Sequence, residues 1–182
     1  MERILNKRNI DSVIRDYELS IADIELGSNI TGIKLFQHIK RNTVGFGPYP
    51  HVTLFEAANR IMTDLVILKG IKWLLNNSQF PFKEYRVEYG NENKNEHDII
   101  AERTGKCLIG EAFNVAPSFF HGKKSTSLKK LRKSKVASDY TIIIANKDAV
   151  KDNYIPKPTK DEYFLFMDIE TGDGRLFSAI SK

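Results

Sequence analysis

The sequence predicts an α/β domain. Three observations predict it. FEAANRIMTDLVILKGIKWLLNN is a long apolar run of helical character, three strand-like runs follow it, and a β-branched run, DYTIIIAN, comes after a basic helical stretch. The chain has 182 residues, 41% hydrophobic and 28% charged, enough for one domain with a sizeable core and few for two.

Taken in order, residues 3 to 25 read as a helix, because Ile4, Ile10, Val13, Ile14, Tyr17, Ile21 and Ile24 fall near a 3.6-residue period. Residues 31 to 41 add a short helix, so that residues 1–45 form a helical N-terminal extension. TVGFGPYP has two glycines and two prolines and reads as a loop. Thr53 is placed to cap the long helix, and Glu56 stands three places on, the capping-box spacing. That helix runs to about residue 77. Strands are expected at Tyr85 to Tyr89, His97 to Arg103 and Lys106 to Val115, with Pro117 ending the third. A basic helix covers 122 to 135, and a buried strand covers 139 to 146. Residues 148 to 161 look like loop. EYFLFMDIE and RLFSAI form a terminal hairpin around TGDG, within residues 160–182.

Composition narrows the function classes. A single cysteine, Cys107, excludes an intrachain disulfide and a cysteine-rich zinc site. Glu2, Arg3, Lys7 and Arg8 break any signal-peptide core, and no stretch approaches the roughly 20 apolar residues of a membrane span. A cytoplasmic protein without membrane partners is expected. The net charge of +5 suits nucleic acid or another anionic surface.

The stretch EHDIIAERTGKCLIGEAFNV carries the sharpest signal. If Thr104-Gly105 is the tip of a two-residue hairpin, Gly105 supplies the positive φ such turns need, and Arg103 pairs with Lys106. Counting outward, Asp98 then lies directly opposite Glu111 on one face. Like charges in that position oppose folding by up to about 1 kcal/mol. A divalent cation resolves the conflict. Mg²⁺ takes oxygen ligands and often uses only one or two protein carboxylates. Asp98 and Glu111 are therefore candidate ligands for Mg²⁺ or Mn²⁺. In another register the two acids are ordinary surface residues, and the residues alone leave that alternative open.

The order of elements together with these acids resembles the core of the PD-(D/E)xK nucleases, the superfamily of many type II restriction endonucleases. The resemblance covers roughly residues 53–146 and implies a restriction-endonuclease-like αβββαβ core with a mixed sheet. His97-Asp98 stands in the PD place and Glu111-Ala112-Phe113 in the ExK place. Two positions depart from the pattern: His97 replaces the proline, and Phe113 replaces the lysine that usually stands near the attacking water. In some members the lysine comes from the following helix, where Lys123 and Lys124 stand here. Many members also draw a glutamate from the upstream helix. Glu56 matches by position, and equally as a capping-box residue.

HGKKSTSLKKLRKSK holds seven Lys/Arg between 123 and 135 and no acid. A one-signed patch of this kind meets phosphate more often than it remains a plain solvated face. Lys129, Lys130, Arg132 and Lys133 are the expected DNA-backbone contacts. Other signals are weaker. MDIETGDG resembles the Asp-x-Glu motif of DEDD-type exonucleases, which need further acids downstream. Glu92 and Glu96 sit in a polar turn. His38, His51 and His121 have no partner at ligand spacing, whereas His97 beside Asp98 is the histidine placed for a role. Cys107 and Trp73 read as core.

The resulting expectation is a Mg²⁺-dependent DNA endonuclease, with a restriction-type role expected within that class, Asp98 and Glu111 on the metal, Glu56 a third acid, and Lys123 or Lys124 orienting the water. A homodimer or a partner subunit is expected, because cutting two strands takes two sites, and the helices of residues 3–41 are the expected interface. A catalytically inactive DNA-binding module on the same fold, favoured by Phe113, and an RNA-processing nuclease are the alternatives.

Overall fold

A computed structural model describes residues 1–25, 29–90 and 96–179 of the chain. Seven strands form one mixed sheet and lie across it in chain order. Strands β1 (Ile4–Asn6), β2 (Glu84–Val87), β3 (Ile99–Arg103) and β4 (Lys106–Phe113) form an antiparallel meander. Strand β5 (Tyr140–Asn146) joins β4 in parallel, β6 (Glu162–Met167) joins β5 in parallel, and β7 (Gly174–Ser178) closes the far edge antiparallel to β6. A parallel pair needs a crossover, and helix α4 (Pro117–Arg132) provides it between β4 and β5. This is the mixed α/β architecture the sequence predicts.

Helix α3 (Leu54–Asn77) packs on one face of the sheet, and α1 (Ile10–Ile21) and α2 (Gly32–Arg41) pack on α3. Four consecutive α3 residues, Leu65 to Leu68, are buried, because the sheet lies on one side of the helix and α1 and α2 on the other. Thr53 caps α3 as expected, its Oγ1 accepting the Glu56 N–H at 3.2 Å. The core on this face joins Leu65, Leu68 and Ile71 to Ile99, Leu108, Ile142 and Ile144. Burying each such side chain contributes about 1.5–3 kcal/mol. On the opposite face α4 sets Phe120 and Leu131 against Ile109, Phe113, Ile143 and Phe166. Alternation along β4 therefore sends Leu108 and Ala112 toward α3, and Ile109, Glu111 and Phe113 toward α4.

Two elements differ from the sequence reading. Residues 4–6 form edge strand β1 rather than the start of a helix: they pair with β2 and bury Leu5 completely. The helix starts only at Ile10, because the Asn9 side chain accepts the Asn6 N–H at 2.9 Å and donates to the Ile4 carbonyl at 2.8 Å, folding the chain into a turn. Helix α4 starts at Pro117, five residues earlier than expected. Proline at the first helical position has no N–H to leave unpaired, so Pro117 opens the helix as well as ending the strand.

A buried polar cluster ties the N-terminal helices to the sheet. Asp64 on α3 has no exposed surface. It accepts from the Tyr17 hydroxyl at 2.8 Å, from the Tyr49 hydroxyl, and from the Gly90 N–H at 3.0 Å. Burial pushes the Asp64 carboxyl up to about 6, against the pull of these three donors. Gly90 has a φ of 65°, and a Cβ there would meet the Tyr49 ring at 2.5 Å. No helix among the described residues is long and apolar enough to cross a membrane.

Candidate active site

The β3–β4 hairpin has the register the sequence predicts. Arg103 pairs with Lys106, and the ladder runs outward to Ile99 opposite Gly110. Thr104 and Gly105 both have positive φ, 48° and 74°, which is the two-residue turn that matches strand twist. The next position outward sets Asp98 opposite Glu111, on the face that α4 covers. The Asp98 carboxylate accepts the Ala112 N–H at 2.9 Å, and the Asp98 carbonyl accepts the Glu88 N–H from β2's end at 2.9 Å. Glu111 is 6% exposed and Asp98 is half-buried. Burial first, and then the Glu111 charge, push the Asp98 carboxyl up to about 6, against the Ala112 N–H and the charges of Lys130 and Lys123. The register inferred from spacing is therefore that of the folded protein.

Helix α4 supplies the cations. With Phe120 and Leu131 anchored in the core, the stripe Lys123, Ser127, Lys130 and Ser134 follows helical spacing beside β4. Lys130 Nζ lies 2.8 Å from Glu111 Oε1 and 3.0 Å from Oε2. Lys123 lies 6.0 Å over the Phe113 ring, and its charge reaches Asp98. His97 is buried, with Nδ1 3.1 Å from Glu111 Oε1 and Nε2 2.8 Å from Ser134 Oγ.

The other expected site residues stand elsewhere. Lys124 turns away, donating to the Tyr154 hydroxyl at 3.0 Å, because it follows Lys123 by one residue and so faces another side of the helix. Glu56 pairs with Arg60 one turn on, on the exposed start of α3. Among the described residues no group of three or more His, Cys, Asp and Glu is placed to hold a metal ion, so Glu56 does not join the pair. Arg132 grips Glu162 with two bonds, at 2.6 and 3.0 Å, and this internal partner removes it from the expected phosphate contacts. Lys130 belongs to the acid pair, whereas Lys129 and Lys133 are exposed. Glu92 lies outside the described residues.

Sequence reasoning placed Lys130 among the phosphate contacts rather than beside the acids, and missed Ser134. The signal was available: once α4 starts at Pro117, Lys130 lies seven residues, two turns, beyond Lys123 on the same face. The Asp98 and Glu111 carboxylates are oxygen donors of the kind a hard divalent cation takes, and in the protein alone the Lys130 ammonium occupies Glu111. No protein-family model, curated protein or solved structure matches the chain, so its function is inferred from this geometry.

Proposed function

We propose that the chain is a metal-dependent endonuclease that hydrolyses DNA phosphodiesters, with α3-β2-β3-β4-α4-β5 as a core of the PD-(D/E)xK type. The observation that carries the reading is Lys130 Nζ at 2.8 Å from Glu111, on the strand position opposite Asp98. The lysine that Phe113 lacks is thereby supplied from α4. Asp98 and Glu111 would hold Mg²⁺ or Mn²⁺, which supplies charge stabilisation at the scissile phosphate. Lys130 orients the attacking water by hydrogen bonding, and Lys123 adds positive charge beside Asp98. Water adds across the P–O bond, leaving a phosphate on one product end and a hydroxyl on the other. Lys129 and Lys133 grip the backbone.

Helix α2 supports assembly with a second copy. None of its residues is buried, and it exposes Ile33 (77%) and Phe36 (69%). The second reading is an inactive DNA-binding module, favoured by the fact that both Glu111 oxygens already have a partner in Lys130. Nicking of supercoiled plasmid with Mg²⁺ or Mn²⁺, with EDTA, and with Asp98→Ala separates the two. Metal-dependent nicking lost in the variant supports the nuclease. Salt-sensitive DNA binding without nicking supports the module. The same assay on RNA tests the third alternative.

A further inference from the structure

We infer that His97 and Ser134 form a positioning chain that fixes the Glu111 carboxylate for cation binding, an assignment that rests on the nuclease reading. Hydrogen-bond chemistry sets the direction of the chain. The ionised Glu111 carboxylate is acceptor-only, so His97 Nδ1 carries the hydrogen across the 3.1 Å contact. In the neutral imidazole Nε2 is then an acceptor, and the Ser134 hydroxyl donates to it at 2.8 Å. Ser134 Oγ in turn accepts the Val136 N–H at 3.1 Å. The donor and acceptor roles along Val136, Ser134, His97 and Glu111 are therefore mutually consistent, with Ser134 Oγ accepting from Val136 and donating to His97. Glu96 Oε1 stands 3.7 Å from Nε2, beyond hydrogen-bond reach.

Burial makes the chain rigid. His97 is 2% exposed and Glu111 is 6% exposed, so neither side chain can swing into solvent. Two different elements hold Glu111: the imidazole arrives from the residue before Asp98, and Lys130 from α4. Lys130 has a 44% exposed side chain and four rotatable carbons, so it can leave Glu111 when a cation takes that place. His97 cannot leave. The carboxylate keeps one fixed hydrogen bond, and hence its orientation, through the exchange of Lys130 for a cation. Ser134 is the anchor: it lies just past the end of α4, its N–H donating to Leu131 O at 3.2 Å, so the last turn of the same helix that carries Lys130 also sets the ring plane of His97.

The order Ser134, His97, Glu111 also has the connectivity of a hydrolytic serine triad. Two features speak for positioning instead. The Val136 N–H beside Ser134 is bonded to Ser134 Oγ itself rather than directed at a substrate oxygen, and Lys130 draws on the Glu111 charge that would have to support an imidazolium.

Mn²⁺ affinity of the full chain, read by the electron paramagnetic resonance signal of free Mn²⁺, tests the chain with no need for turnover. His97→Asn keeps a donor near the Nδ1 position and is expected to bind Mn²⁺ within about threefold of wild type. His97→Gln moves the amide to the Nε2 position, loses the Glu111 contact, and is expected to weaken binding by about 10-fold or more, the usual effect of removing the partner of a metal ligand. Ser134→Ala, at a half-buried site, is expected to weaken binding by about 10-fold, the low end of the usual effect of removing an outer-shell partner. Urea unfolding of each variant identifies any that fails to fold, and Ser134→Ala carries the test if a His97 variant does. Unchanged affinity in folded His97→Gln and Ser134→Ala, with wild type binding Mn²⁺, overturns the positioning chain and leaves the nuclease standing. No Mn²⁺ binding by wild type overturns both. Covalent labelling of Ser134 by a fluorophosphonate overturns the positioning role in favour of a nucleophile.

Discussion

Replacing Asp98 with Asn should stabilise the metal-free protein at alkaline pH. The Asp98 carboxyl is pushed from its ordinary 3.8 to about 6 by burial and by Glu111. A folded-state value above the unfolded one means that the folded protein holds the proton more tightly. Stability from this group is therefore complete below about pH 4, falls as pH rises through 6, and is absent above it. The full difference corresponds to about 3 kcal/mol, and about 1–2 kcal/mol is a fairer expectation for a half-buried group that water and salt screen in part. Asparagine carries no charge to desolvate or to face Glu111, and its Oδ1 can still accept the Ala112 N–H that Asp98 accepts at 2.9 Å. Urea unfolding in EDTA should show Asp98→Asn more stable than wild type by about 1–2 kcal/mol at pH 8, with the gap closing as pH falls below about 4. Asp64 titrates in the same window but is common to both proteins, so the difference between them isolates Asp98. Added Mg²⁺ at pH 8 should raise the stability of wild type alone. A variant at least 1 kcal/mol less stable than wild type at pH 8 in EDTA would refute the reasoning, because the carboxylate would then be a favourable part of the metal-free fold.

Lys130→Met should lower the single-turnover nicking rate by about 100-fold or more while the protein still folds, since the side chain is exposed and hydrogen-bonds the attacking water. Lys129→Ala and Lys133→Ala should each reduce the slope of log affinity against log salt by about 0.9 in DNA-binding titrations, whereas Arg132→Ala should leave that slope unchanged. Arg132→Ala should instead cost about 1–2 kcal/mol in urea unfolding, because it strips two hydrogen bonds from the buried Glu162 carboxylate. Gly110→Ala should destabilise by about 1–3 kcal/mol in the same assay, since its Cβ would meet Ile142 Cγ2 at 2.6 Å and the Ile142 carbonyl oxygen at 3.1 Å.

What was legible in the sequence follows what is local. The hairpin register depends on two turn residues and on alternation, both of which are written in ERTGKC, and it placed Asp98 opposite Glu111 correctly. The cap at Thr53 is equally local. Strand β1 was not legible, because Ile4 and Leu5 fit a helical period as well as a strand, and their partner, β2, lies some 80 residues along the chain. Lys130 was hidden among seven basic residues that composition does not distinguish. Only the phase of α4, fixed by Pro117, Phe120 and Leu131, decides which of them faces the acids and which, like Arg132, faces Glu162. Packing across the sheet carries that information.

The two acids are unlike in setting, and the difference bears on chemistry. Glu111 has Lys130 on one side and His97 on the other, so its charge is compensated and its position fixed. Asp98 has the Ala112 N–H as its near partner and otherwise faces burial and the Glu111 charge, so it retains its proton to about pH 6. A cation held by the pair would have to displace an ammonium at Glu111 and, below pH 6, a proton at Asp98. Only the second competition fades as pH rises through 6. The scaffold around them is matched to this conflict. Ile99, Ile109, Phe113 and Ile143 are almost fully buried on both faces of the sheet, and the apolar contacts they make hold two carboxylates opposite each other against a repulsion of up to about 1 kcal/mol.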